Sequence, residues 1–135
     1  MLPNITVSTL DLNRIDQLLD RLPPAQASTR DALSDELARA DVLEPWDMPP
    51  RVVTMNSTVR FRLEDAGGEW CRTLVYPKNV GQDDDTLSIL SPVGSALLGL
   101  SEGDRVRWER AGGRSIGVEV VEVVYQPERA GQFHL

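Results

Sequence analysis

Few residues of this chain have the type and spacing to do covalent chemistry. Gly113-Arg114-Ser115-Ile116-Gly117 has the spacing of a hydrolase nucleophile elbow. That device needs its serine on a strained strand-to-helix turn with a base in reach. Here Ala111-Gly112-Gly113 reads as a hairpin turn and a strand pattern follows it. The only histidine, His134, is the penultimate residue and reads as a solvated terminal side chain. Asp83-Asp84-Asp85 offers carboxylates to a divalent cation, but without the spacing, glycine and glutamate of a calcium loop. It reads as a solvated loop. Cys71 lies in a strand pattern with no nearby base and reads as a small packing residue. Trp46, Trp70 and Trp108 are too dispersed for a stacking platform and read as packing groups at a joint or on a sheet. No phosphate loop or dinucleotide fingerprint is present. The residues assemble no nucleophile, base and oxyanion site, so no catalytic residue, metal or cofactor is expected.

Composition narrows the classes further. The 135 residues are 41% apolar but only 5% aromatic, so a globular core must be largely aliphatic. Charged residues are 26%, near the globular average, which argues against wholesale disorder. A single cysteine excludes an intramolecular disulfide and a multi-cysteine zinc site. No apolar run approaches the roughly 18–20 residues of a membrane span, and the first residues lack a secretory pattern. A soluble protein of a reducing compartment is expected. The net charge of −7 argues against direct nucleic-acid binding. That charge is uneven. Residues 1–50 hold four basic and nine acidic side chains, and the rest is nearly balanced.

These residues need elements to position them. Leu12, Ile15, Leu19 and Leu22 recur at spacings of three, four and three, the stripe of an amphipathic helix with a coiled-coil seam. Ser8 or Thr9 caps this helix, with Asp11 in its first turn favouring the dipole. Pro23-Pro24 ends it. Ser28 or Thr29 is expected to cap a second helix, with Asp31 in its first turn and Leu33, Leu37 and Ala40 as its stripe. Together they make an antiparallel hairpin about 20 Å long. Its faces carry Asp16, Asp20, Asp31, Asp35 and Glu36. Pro45, Pro49 and Pro50 mark a proline-rich joint. We therefore divide the chain into a hairpin at 1–44, a joint at 45–50 and a second unit at 51–135.

The second unit reads as an antiparallel sheet with one helix. Val59, Phe61 and Leu63 alternate with Arg60, Arg62 and Glu64. Ala66-Gly67-Gly68 turns into a return strand from Trp70 to Tyr76. A polar loop over 79–85 leads to a short strand at 86–90. Ser91-Pro92 opens a helix, with serine as cap and proline where its missing N–H costs nothing. Ala96, Leu97 and Leu98 bury it, and Gly99 is a C-cap glycine. Strands from 105 to 110 and from 115 to 125 follow, the last expected to face inward with Ile116, Val118, Val120 and Val124. The class is α+β.

The helix region also carries a resemblance. Ser91-Pro92-Val93-Gly94-Ser95-Ala96-Leu97-Leu98-Gly99-Leu100, followed by Gly103-Asp104, resembles the signature of the C-terminal domain of Gre transcript-cleavage factors. The stretches 52–59 and 73–77 are similar too. Asp11-Leu12-Asn13-Arg14-Ile15-Asp16 and Tyr125-Gln126-Pro127-Glu128 narrow the resemblance to one branch of that group, the regulators of nucleoside diphosphate kinase.

The resemblance implies an FKBP-like C-terminal domain, a bacterial cytoplasmic setting and RNA polymerase as partner. It implies docking through the C-terminal domain at the rim of the polymerase secondary channel, so Ser91, Pro92, Gly94, Leu97, Leu98 and Gly99 are the expected docking region. Gre factors send a long coiled coil down that channel, with acidic tip residues that help hold a catalytic magnesium. The turn here, Leu22-Pro23-Pro24-Ala25-Gln26-Ala27-Ser28, has no carboxylate, and the hairpin is shorter. The expected function is a non-enzymatic regulator that binds polymerase and competes with Gre factors without promoting cleavage. Any influence on nucleoside diphosphate kinase levels is then indirect. Two other readings stand beside it: an adaptor that binds another protein through its acidic hairpin, and a prolyl isomerase, for which the aromatics are scattered.

Overall fold

A computed structural model describes residues 5–64, 68–81, 85–109 and 115–132. The N-terminal part runs β1 (Thr6–Ser8), α1 (Thr9–Asp20), α2 (Ala27–Ala38) and β2 (Asp41–Leu43). Ser8 Oγ accepts the Asp11 N–H at 3.0 Å and so caps α1. Ile15 and Leu19 are buried from α1, and Leu33 and Leu37 from α2, so the expected stripes form the contact. At 12 residues each, the helices are about 18 Å long.

Two features of this part differ from expectation. The second helix starts at Ala27, after a single 3-10 turn over Pro24–Gln26, and its N-cap Gln26 makes no side-chain cap. Ser28, Thr29 and Asp31 therefore lie inside the helix. Proline at the head of the 3-10 turn winds the chain early and removes the need for a polar cap. The base of the hairpin is also closed by a parallel pair, with Thr6 opposite Asp41 and Ser8 opposite Leu43. Three residues per strand are too few for an alternation pattern to show.

The second part holds β3 (Thr58–Leu63), β4 (Glu69–Val75), β5 (Thr86–Ser88), α3 (Pro92–Leu97), β6 (Arg105–Glu109) and β7 (Ser115–Tyr125). They build one five-stranded sheet in the order β5-β4-β3-β7-β6. Three of its ladders are antiparallel, as expected. The fourth is a correction: β5 joins β4 in parallel. The route from β4 passes through a 3-10 turn at Pro77–Asn79 and returns in the same direction.

The last strand corrects a second expectation. Val118 and Val120 are buried, but the next inward residue is Val123 at 2% exposure, whereas Val124 is 44% exposed. Register shifts against β3 cause this. Phe61 faces Val120, Arg60 faces Glu122 and Thr58 faces Tyr125, which leaves Val121 and Val124 as extra residues on β7. Each bulge reverses the side-chain phase. The turns expected at 66–68 and 111–113 fall largely outside the described residues.

One apolar cluster runs through both parts. It joins Ile5, Val7, Ile15, Leu19, Leu33 and Leu37 to Val53, Met55, Leu74, Ile89 and Leu97. The α3 corner is closely packed against it. Ser91 Oγ accepts the Gly94 N–H at 3.0 Å and donates to Ser88 O at 2.6 Å. A Cβ on Gly94 would lie 2.0 Å from Ser88 O, a backbone atom. Gly94→Ala is therefore expected to cost about 2 kcal/mol or more through overpacking. Urea unfolding measures this, and an unchanged midpoint would show that the Ser88 carbonyl can retreat freely.

Candidate functional site

The candidate surfaces lie where the hairpin meets the sheet. Asp11 is the buried polar centre of that joint. Its Oδ2 accepts the Met55 N–H at 3.1 Å, a bond across 44 positions of sequence. Asp11 is only 2% exposed, so it does more than favour a helix dipole. The receiving loop is itself braced. Thr54 N–H donates to Ser57 Oγ at 3.0 Å, Thr54 Oγ1 donates to Glu128 Oε1 at 2.7 Å, and Leu74 N–H donates to Ser57 O at 2.9 Å. Gln126, fully buried, donates from Nε2 to Pro49 O and Val52 O, both at 2.8 Å.

This setting changes the acidity of Asp11. Burial is the largest influence and raises its pKa from 3.8 to about 7. The Met55 N–H opposes the rise, Glu128 adds to it, and Arg14 and Ser8 oppose it. Tyr76 stands beside this group. Burial, then the Asp11 charge, pushes its phenol above the usual tyrosine range, while Arg14 pulls it back.

An open cleft of about 620 Å³ adjoins the joint. One wall is the α1 face of Arg14, Gln17, Leu18 and Arg21. Their spacings of three, one and three place them on a single helical stripe. The opposite wall is Tyr76, Pro77, Lys78 and Asn79, and Asn56 completes it. Asn56 holds the left-handed conformation (φ +66°), and its N–H donates to Leu74 O at 2.6 Å. Among the described residues no carboxylate lines this cleft. Sequence reading missed it because its two walls are more than fifty residues apart. Only the α1 stripe was available as a signal.

The acidic faces lie elsewhere. Asp16, Asp20, Asp31 and Asp35 are exposed. Asp31 pairs with Arg30 at 3.3 Å, and Glu36 pairs with Arg39 at 2.8 Å. Asp16, Asp20 and Asp35 have no ion-pair partner within 4 Å among the described residues. The tip residues Pro23, Pro24, Ala25 and Gln26 are all exposed.

The residues of the α3 corner are largely buried. Leu97 and Leu98 are 2% and 3% exposed, and Gly94 and Gly99 are buried as well. Ser91 is half-buried and its hydroxyl is engaged within the corner.

Other chemistry-bearing residues are also settled. Cys71 is exposed, not packed, because its strand turns that position to solvent. Trp46 is 62% exposed, against the expectation of packing at the joint, while the Arg72 guanidinium sits 5.5 Å from the Trp70 ring. Ser115 and Gly117 lie in β7, so no strand-to-helix turn carries that serine. Asp83, Asp84 and His134 lie outside the described residues. Among the described residues no three His, Cys, Asp or Glu side chains could hold a metal ion together, and no helix is long and apolar enough to cross a membrane.

Comparison with known proteins follows this geometry. Residues 48–125 match the family model of the transcription elongation factor GreA/GreB C-terminus, and residues 3–43 match that of the Rnk N-terminus. The chain is 47% identical over 98% of both lengths to the regulator of nucleoside diphosphate kinase of Escherichia coli. It is 33% identical to the transcription elongation factor GreA of Helicobacter hepaticus, over 67% of this chain and 55% of that protein. A solved prokaryotic transcription elongation factor GreA/GreB from Nitrosomonas europaea superimposes with a TM-score of 0.69 at 52% identity. That match covers 91% of this chain and 99% of the other.

The buried carboxyl makes a pH prediction. The folded pKa of Asp11 is raised above its unfolded value, so its contribution to stability is fully present below about pH 4 and is lost as pH rises through about 7. Asp11→Asn keeps an acceptor for Met55 and removes the titration. The unfolding free energy of the variant minus that of the parent should therefore rise between about pH 4 and pH 7, by at most roughly 1.4 kcal/mol per unit. Chemical unfolding at several pH values reads this difference. A difference that stays flat or falls across the window refutes the assignment.

Proposed function

The chain belongs to the GreA/GreB elongation-factor family and carries the Rnk-type N-terminus, and on that footing we propose that it is a regulator of transcription that binds RNA polymerase near the secondary channel. It competes there with Gre factors and does not promote transcript cleavage. The observation that carries this reading is the 47% identity, end to end, with the Escherichia coli regulator. An influence on nucleoside diphosphate kinase levels then follows indirectly, through transcription.

The hairpin supports the absence of cleavage. Magnesium needs carboxylate oxygens at about 2.1 Å, delivered to where the ion sits. The tip over 22–28 has no carboxylate and stands on helices about 18 Å long. The unpaired Asp16, Asp20 and Asp35 instead meet basic polymerase surface near the channel entrance and steer association. We read the sheet crossed by α3 as the FKBP-like docking unit, residues 51–135, and the loops around Ser91–Gly99 as its contact region. The hairpin of 1–44 is a short coiled coil set on that unit through the joint at 45–50.

Two experiments test this. Added to backtracked elongation complexes with magnesium, the protein should displace a Gre factor without shortening the transcript. Shortening above the intrinsic rate would defeat the reading. Separately, the triple change Asp16→Asn, Asp20→Asn and Asp35→Asn should slow polymerase association several-fold at low salt and leave dissociation nearly unchanged. Surface plasmon resonance separates the two rates, and an effect confined to dissociation would place these carboxylates inside a buried contact.

A further inference from the structure

The cleft between α1 and the Pro77–Asn79 turn is basic in a strongly acidic protein. Arg21 and Lys78 face it from opposite walls and have no ion-pair partner within 4 Å among the described residues. Both are exposed. Arg14 lines the same space and is already engaged, its charge acting on Tyr76 and Asp11. Of the acidic residues of α1, Asp16 and Asp20 lie off the stripe and do not line the cleft, while Asp11 shares the stripe but is buried at the joint behind Tyr76 and held by the Met55 N–H. Two exposed cations that line one concave space from separate segments of the chain suit an anion of more than one charge.

The rest of the lining asks for more than charge. Tyr76, Pro77 and Leu18 give the cleft a flat aromatic and aliphatic surface. Gln17, Asn56 and Asn79 place side-chain amides beside it, groups that both donate and accept. A volume of about 620 Å³ suits a small organic molecule. We propose that this cleft binds a nucleoside diphosphate or triphosphate, with Arg21 and Lys78 on the phosphates and the ring of Tyr76 with its neighbouring amides on the base. A polymeric nucleic acid fits less well, because it needs a continuous basic track and the net charge of −7 opposes it. An acidic peptide would use the cations but not the flat wall and its amides. The inference does not rest on polymerase docking, and either can fail without the other.

Isothermal titration calorimetry of the full chain tests it, with ADP, adenosine, inorganic pyrophosphate, a single-stranded oligonucleotide and a glutamate-rich peptide as probes. ADP should bind at submillimolar concentration and more tightly than each of the other four. Arg21→Ala and Lys78→Ala should each weaken ADP binding by about tenfold. Both positions are exposed, so the thermal midpoints should stay with the parent and separate loss of binding from loss of fold. Three outcomes overturn the proposal. They are no ADP binding up to about 5 mM, ADP binding indifferent to both substitutions, and any other probe binding as tightly as ADP.

Discussion

Gly99 is the point on which the arrangement turns. It holds the left-handed conformation, φ +82°, one residue past the cap of α3. Its N–H donates to Val53 O at 2.9 Å, and its carbonyl accepts the Thr6 N–H at 3.1 Å. A Cβ there would come within 2.7 Å of the Ile5 Cβ. Any other residue would meet both that contact and the roughly 1–2 kcal/mol cost of the left-handed backbone. One residue thus joins the end of α3, the segment before β3 and the first strand. The pairing of β1 with β2 extends the connection to the base of the hairpin. Asp11 and Met55 repeat the connection one layer further along α1.

The same constraint explains the charge arrangement. Once α1 is fixed by its N-terminus, its rotation is fixed too. Ile15 and Leu19 then face the core, Asp16 and Asp20 face solvent, and Arg14 and Arg21 face the Tyr76 wall. An acidic helix can therefore border a basic cleft. The exposed sheet face shows the opposite pattern. Arg60 pairs with Glu122, Arg62 with Glu69 and Arg107 with Glu64, all within 2.8 Å. Such exposed pairs add little stability, but they neutralise that face and leave the hairpin and cleft as the polarised regions.

What could be read from sequence follows the range of the interactions. The stripe of Leu12, Ile15 and Leu19, the Pro23-Pro24 stop, the Ser91-Pro92 cap and the Gly99 cap are local, and the structure has each of them. The family resemblance was legible in the α3 segment, whose glycines are held by close packing at Ser88 and Ile5. Bulges at Val121 and Val124 were not legible, because a bulge is a property of two strands and not of one. The strands at 6–8 and 41–43 were too short to show a period. Asp11 looked like an ordinary first-turn acid, since its partner is Met55. The cleft needed both Arg21 and Lys78, and only the folded chain brings them to one place.

The joint also has a consequence for how the protein is made. The Thr6 N–H finds its acceptor only at Gly99, so the hairpin base, though closed by β1 and β2, is tied to the second part only when that carbonyl is present. A ribosome adding about 5–20 residues per second needs roughly 5–20 s to cover that interval. Through that time α1 and α2 have emerged with Ile15, Leu19, Leu33 and Leu37 uncovered by the sheet. Helices this short are marginal by themselves. The N-terminal segment is thus born early and matures late, and a nascent chain halted before Gly99 would present its apolar stripe to chaperones.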